Sequence, residues 1–248
     1  MQGLGKVESF INERTKKATI IAALIDPEDF PPAEAARTAK AAIGAGATLL
    51  FVGGSTISNQ ERLDRVVVAI KRAVASHVLL FPGNITGVSQ HADAILFSSL
   101  LNSTNPYFII GAQALGAMEV YRSRIESIPM GYLVFGNQSA TSFIGQVNPI
   151  PESKPNLAVI YSLAARYLGM RFLYLEAGSG SAKPIPNETI RAVRKFYDGV
   201  IIVGGGITTP DAVMTASKAG ANILVVGNLL QTHGWESQLR RLAHSLSA

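Results

Sequence analysis

Along the chain, short apolar runs alternate with longer stretches in which apolar residues recur every three or four positions. The runs fall at 18–25, 47–54, 77–83, 93–100, 129–136, 171–178, 199–206 and 221–228. Their Val, Ile, Leu, Phe and Tyr content is that of strands buried on both faces. Several close on Gly, Pro or Asn, the mark of a strand-to-loop exit. The stretches between them predict helices over 33–46, 60–75, 156–169, 187–197, 209–219 and 234–247. Asn187 reads as the N-cap of one of these, with Glu188 in the first turn. Thr209 and Pro210 read as a cap followed by a proline at the first helical position. The run at 77–83 is followed too soon by the next for a full helix to fit, so the crossover after the third strand is short or irregular.

Eight strands alternating with helices predict an α/β fold, a (β/α)₈ TIM barrel, with an open doubly wound sheet as the alternative. The length of 248 residues and the Gly-rich exits of the last strands favour the barrel. No linker or low-complexity segment interrupts the pattern, so 1–248 is expected to be one domain.

Composition narrows the function. Hydrophobic residues make up 48% and charged residues 16%, which excludes a disordered chain. Cysteine is absent, which excludes a disulfide scaffold and any cysteine-ligated zinc or iron–sulfur site. The net charge of +5 suits a small anionic substrate, or a surface slightly rich in Lys and Arg. The basic residues are scattered and form no stripe with interleaved aromatics, which argues against nucleic acid. The N-terminal stretch has no apolar core of signal-peptide length. No run approaches the roughly 18 apolar residues of a spanning helix. The expectation is a cytoplasmic protein with at most transient contact with a membrane surface.

In a barrel of this type the active site lies at the C-terminal ends of the strands, so the strand exits carry the candidate chemistry. Gly204, Gly205 and Gly206, then Gly227 and Asn228, close the last two strands, and Gly178, Ser179 and Gly180 follow the sixth. Glycine lets the backbone approach a ligand and aim consecutive N–H groups at it, so these exits point to a phosphate site; tight turns are the alternative. Asp26 ends the first strand, and Ser55 follows the second. Asp26 alone is a turn former or a metal ligand. Together the carboxylate and hydroxyl suit Mg²⁺, which keeps water and shares substrate phosphates.

Glu176 ends the sixth strand, where a carboxylate at the barrel mouth serves as a general base or as half of an ion pair. Tyr174 shares its strand face and either binds ligand or packs in the barrel. Lys183 and Arg122 are anion contacts or solvated side chains. None of the four histidines has metal-ligand or triad spacing.

The strings LIDP (24–27), VGGS (52–55), FPGN (81–84), SLLNSTNP (99–106), GAQ (111–113), PMGYLVF (129–135), PIP (149–151), YLEAGSG (174–180), VGGGI (203–207) and VVGN (225–228) resemble those of the geranylgeranylglyceryl phosphate synthase family. The resemblance runs from about residue 18 onward, and SLLNSTNP, PMGYLVF and YLEAGSG in this order are its specific part. It implies a TIM-barrel prenyltransferase of phospholipid biosynthesis, which starts ether-lipid assembly. The 3-hydroxyl of sn-glycerol 1-phosphate would attack C1 of an isoprenoid diphosphate, geranylgeranyl diphosphate above all, and release pyrophosphate.

The resemblance implies Mg²⁺ held by Asp26 and Ser55. It also implies sn-glycerol 1-phosphate bound by Tyr174, Leu175, Glu176, Ala177, Gly178, Ser179, Gly180, Gly204, Gly205, Gly227 and Asn228, and a homo-oligomeric enzyme. Glu176, with Tyr174 beside it, would orient the acceptor hydroxyl and take its proton. The isoprenoid tail would need a dry groove, for which Phe81, Leu100, Leu101, Phe108 and Tyr132 are candidates, with core packing as the alternative. Two positions depart from the family pattern. Glu28 and Asp29 follow LIDP where a Lys is common, and Thr208 follows GGGI where Arg is common. The competing readings are another TIM-barrel enzyme of a phosphorylated metabolite, an isomerase or cyclase, and a non-catalytic barrel that binds a phospho-ligand.

Overall fold

A computed structural model describes residues 4–54, 59–136 and 139–246. The eight apolar runs become parallel strands: β1 (Ile20–Ile25), β2 (Leu49–Val52), β3 (Val78–Leu80), β4 (Ala94–Leu100), β5 (Glu126–Val134), β6 (Phe172–Glu176), β7 (Val200–Gly204) and β8 (Ile223–Val226). They pair in chain order, and β8 returns to β1, which closes the barrel. The helices are α1 (Lys6–Thr15), α2 (Pro32–Gly44), α3 (Gln60–Ala73), α4 (Ala112–Ser123), α5 (Ala140–Ile144), α6 (Pro155–Tyr167), α7 (Asn187–Arg194), α8 (Pro210–Ala219) and α9 (Trp235–His244).

Between β3 and β4 there is a single 3₁₀ turn, Ile85–Gly87, the short crossover that the spacing of the runs predicts. A π-helical turn, Tyr107–Gly111, leads into α4. The helix α1 carries no strong sequence signal. Thr209 caps α8 by accepting the N–H of Ala212 at 3.2 Å. Asn187, in contrast, is the first residue inside α7. Pro186 precedes it, and no side chain caps the helix.

Strand side chains alternate between two shells. Ala22, Phe51, Leu79, Leu96, Met130, Phe172, Ile202 and Val225 fill the barrel interior. Their neighbours Ala23, Leu50, Leu80, Ile95, Leu173, Ile201 and Leu224 face the helices. This alternation decides what reaches the mouth. On β6, Phe172 and Tyr174 point inward, so Glu176 is the next inward position. On β1, Leu24 packs inward, and Asp26 follows two residues later, just past the strand.

The opposite end is sealed. Val7 and Ile11 of α1 pack into the interior cluster. The Glu126 carboxylate accepts the N–H groups of Val7 and Glu8 at 2.7 and 2.8 Å, an anion on a helix N-terminus. Glu8, itself buried, pairs with Arg171 through bonds of 2.5 and 2.8 Å.

Candidate active site

The C-terminal ends of the strands surround a cavity of about 380 Å³. Glu176, Ser179, Gly180, Gly205, Gly206 and Asn228 line its polar end. Asp26, Gly54, Phe81 and Tyr132 line its middle. An apolar arm runs out between the Ile85–Gly87 turn and α4, walled by Ile85, Val88, Phe97, Phe108, Gly116 and Val120. Ala112, Gly116 and Val120 lie four residues apart, so one face of α4 forms a wall of this arm.

Glu176 is 7% exposed. The Gly178 N–H donates to its Oε1 at 2.6 Å. The Tyr174 hydroxyl is hydrogen-bonded to the same carboxylate. Burial pushes the Glu176 carboxyl up to about 7, against these two bonds, which favour the ionised form. A carboxyl poised there accepts a proton at neutral pH. Burial, and then the neighbouring Glu176 charge, raise the Tyr174 hydroxyl well above its ordinary range, so it remains a donor. Tyr132 is raised for the same two reasons and is hydrogen-bonded to Thr141 at the start of α5. The Phe81 ring stacks on Tyr174 with centroids 5.0 Å apart and meets Tyr132 edge-on at 5.5 Å. These rings form an apolar floor beneath the carboxylate.

The glycines of β7 make this arrangement possible. Gly204 pairs in register with Glu176. A Cβ on Gly204 would come within 2.1 Å of the Tyr174 hydroxyl oxygen. Gly205 and Gly206 have φ of +81° and +69°, a backbone that other residues rarely adopt. Across the polar end, the Ser179 hydroxyl donates to Asn228 Oδ1 at 2.9 Å. Asn228 opens a 3₁₀ turn after β8, so the loops after β6, β7 and β8 meet around one end of the cavity. Backbone N–H groups and hydroxyls around such a space suit a phosphate.

At the β1 exit, Asp26 Oδ1 accepts the Glu28 N–H at 2.9 Å. The carboxylate lies against Gly54, where a Cβ would sit 2.0 Å from Oδ2. Any side chain at 54 would displace it. Burial raises the Asp26 pKa; the bond from Glu28 and the charge of Arg62 oppose the rise, while Asp29 and Glu28 add to it. Among the described residues no group of three or more His, Asp or Glu side chains could hold a metal ion. A single carboxylate beside an anion site still fits Mg²⁺, which keeps waters and takes its other ligands from substrate phosphates.

Several expected site residues converge. Tyr174, Glu176, Ser179, Gly180, Gly205, Gly227 and Asn228 line the cavity, as does Asp26. Gly178 reaches the site through its N–H, and Gly204 through the room it leaves. Leu175 and Ala177 face the helix layer, because they alternate with Tyr174 and Glu176, so only their backbone faces the site. Ser55 lies outside the described residues. Phe81, Leu100, Phe108 and Tyr132 line the cavity and also pack with the barrel interior. Leu101 does not; it packs in the outer shell. Arg122 is exposed in the last turn of α4 and does not line the cavity. Lys183 is exposed, with its backbone against Gly206.

Three features carry no signal in the sequence reading. Thr141 contacts Tyr132. Gln231 donates to Asp29 at 2.7 Å. Arg62 grips the loop after β1. The last two partnerships link distant parts of the chain, and the first spans the loop between β5 and α5.

A model of the PcrB family matches residues 12–246. The chain is 48% identical to a geranylgeranylglyceryl phosphate synthase of Cenarchaeum symbiosum, over 98% of this chain and 99% of that protein. It is 46% identical to the protein of the same name from Thermococcus gammatolerans, over 100% and 98%. A crystal structure of (S)-3-O-geranylgeranylglyceryl phosphate synthase from Thermoplasma acidophilum, in complex with its substrate sn-glycerol-1-phosphate, superposes with a TM-score of 0.94. That structure shares 36% identity, covering 98% of this chain and 99% of that one.

Proposed function

Because this chain belongs to the PcrB family, we propose that it is a prenyltransferase that joins sn-glycerol 1-phosphate to an isoprenoid diphosphate, with geranylgeranyl diphosphate the favoured donor. The observation that carries this reading is the buried Glu176, held at a pKa of about 7 where a phosphate-sized polar pocket meets an apolar arm. Those two compartments match the two halves of an ether lipid.

The Gly-rich exits of β6, β7 and β8 take the phosphate of glycerol phosphate. That anchors the glycerol so that its 3-hydroxyl meets Glu176. The Tyr174 hydroxyl and Gly178 N–H hold the carboxylate in place. The apolar arm takes the isoprenoid tail, and its walls exclude water from the reacting carbon. In the chemical step the glycerol oxygen forms a bond to C1 of the isoprenoid. The C1–O bond to the diphosphate breaks, and its electron pair leaves with pyrophosphate. The hydroxyl proton passes to Glu176. Placing the acceptor before the allylic bond breaks is what positioning contributes. Asp26 would hold the diphosphate through Mg²⁺. When bound, the ion supplies charge neutralisation for the leaving group. Ser55 is the proposed second ligand.

We read 1–248 as one catalytic domain that works in the cytoplasm. Among the described residues no helix is long and apolar enough to cross a membrane. We also propose a homo-oligomer. Ile110, Leu115, Met118 and Tyr121 at α4, with Ile160 and Tyr167 on α6, are large, apolar and exposed, which supports a second copy of the chain as their cover. Light scattering on the purified protein tests this, and a monomer at micromolar concentration would refute it.

The activity is tested by incubating the protein with Mg²⁺, geranylgeranyl diphosphate and sn-glycerol 1-phosphate, with the sn-3 enantiomer as control. Ether product from the sn-1 form alone is expected. No product, with glycerol phosphate still bound, would leave a phosphate-binding barrel of another kind.

A further inference from the structure

The loop after β1 is gripped from outside. Arg62 lies in the first turn of α3, whose N-terminus is capped by Asn59. A cation there opposes the helix dipole, which favours acidic residues at that end. Its guanidinium turns back to the neighbouring exit. Nε donates to the Pro27 carbonyl at 2.6 Å, and Nη2 donates to the Glu28 carbonyl at 2.7 Å. Nη1 stands 3.8 Å from Glu28 Oε2. Both carbonyls belong to the residues directly after Asp26. The same turn closes on Asp26 itself, whose carbonyl accepts the N–H groups of Asp29 and Phe30 at 3.1 Å. On the far side, Gln231 of the turn after β8 holds Asp29.

We propose that Arg62 is a positioning residue: by clamping the carbonyls of Pro27 and Glu28 it fixes the Asp26 carboxylate against Gly54 at the β2 exit. Two donors in one rigid plane hold both peptide units at once, a task that a lysine ammonium cannot copy. The role rests on the reading of Asp26 as the handle for Mg²⁺ and diphosphate.

The test is calorimetric titration of wild type, Arg62→Ala, Arg62→Lys and Asp26→Ala with Mg²⁺ plus inorganic pyrophosphate. The same samples are titrated with sn-glycerol 1-phosphate to report an intact fold. Loss of a residue that orients a ligand typically weakens binding about tenfold to a hundredfold, and that loss is expected for Mg²⁺–pyrophosphate with Arg62→Ala. Glycerol phosphate affinity is expected to be unchanged. In turnover, the KM for the isoprenoid diphosphate rises while that for glycerol phosphate does not. Arg62→Lys keeps the charge and loses the clamp, so it stays close to Arg62→Ala. Full rescue by lysine would overturn the positional role in favour of charge alone. An equal loss of both ligands would overturn it in favour of general destabilisation. If Asp26→Ala abolishes pyrophosphate binding and Arg62→Ala does not weaken it, the Arg62 proposal alone fails. If Asp26→Ala binds as wild type does, the reading of Asp26 fails and this inference with it.

Discussion

Glu176→Gln separates the stability cost of a buried carboxylate from its use in chemistry. Gln is nearly isosteric and keeps an oxygen for the Gly178 N–H and the Tyr174 hydroxyl, but it cannot ionise. The Glu176 carboxyl stands at about 7 in the folded protein, against 4.5 for the free side chain. Between those two pH values the folded protein keeps a proton that the unfolded chain has released. Wild type therefore loses stability as pH rises from 4.5 to about 7, and above that the loss is complete. The displacement corresponds to roughly 3 kcal/mol at full ionisation. A chain of this size shifts its melting temperature by about 2–4 °C per kcal/mol. Thermal unfolding of both proteins from pH 5 to 8.5 should show the variant gaining on wild type, with the gap widening by roughly 5–10 °C and levelling off above pH 7.5. Ether formation should fall by a factor on the order of 10²–10⁴, the usual worth of a general base. Affinity for sn-glycerol 1-phosphate should change far less. A gap that does not grow with pH would refute the buried, raised carboxyl, and full turnover by the variant would refute its role as the base.

Asp26→Asn should abolish activation by Mg²⁺ while leaving sn-glycerol 1-phosphate binding intact; activity measured against Mg²⁺ concentration checks this. Gly206→Ala forces a side chain onto φ +69° and puts its Cβ 2.5 Å from the Lys183 carbonyl carbon. It should cost about 1–3 kcal/mol by denaturant midpoint and weaken glycerol phosphate binding. Gly116→Ala should leave turnover unchanged, since its Cβ would meet nothing closer than Ile85 Cγ2 at 3.9 Å, and should raise the denaturant midpoint by up to about 1 kcal/mol of stability. Gly116→Leu fills the apolar arm and should raise the KM of a C20 donor relative to a C10 donor, with the KM of glycerol phosphate unchanged.

What could be read from the sequence follows from how local each cause is. The strands were legible because burial on both faces leaves unbroken apolar runs. The short crossover was legible because too few residues separate 77–83 from 93–100 for a helix. Glu176 and Tyr174 were legible because a strand repeats every two residues. The same rule sets Leu175 and Ala177 aside, and they enter the expected site only when the motif is taken whole. Asn187 has the chemistry of a cap, but Pro186 fixes the preceding backbone and moves the helix start onto Asn187 itself. The contacts of Arg62 were not legible. Its partners are main-chain carbonyls 34 and 35 residues away, which no pattern of side chains encodes. The docking of α1 is similar: it depends on Glu126 reaching back across more than a hundred residues.

The single turn between β3 and β4 has a consequence beyond topology. A barrel walled by helices on all sides admits ligands only end-on, and its depth limits their length. Here one panel of the wall is missing, and the apolar arm passes through the gap between the Ile85–Gly87 turn and α4. The cavity thus has a polar end above the strands and an apolar end toward the flank. On the proposed function, the polar head and the apolar tail would occupy different ends and meet at Glu176. The proposed product would bend between the two, its phosphate at the polar end and its hydrocarbon in the apolar arm. On that reading a tail longer than the barrel is deep would extend toward the flank, and the depth of the barrel would not limit its length.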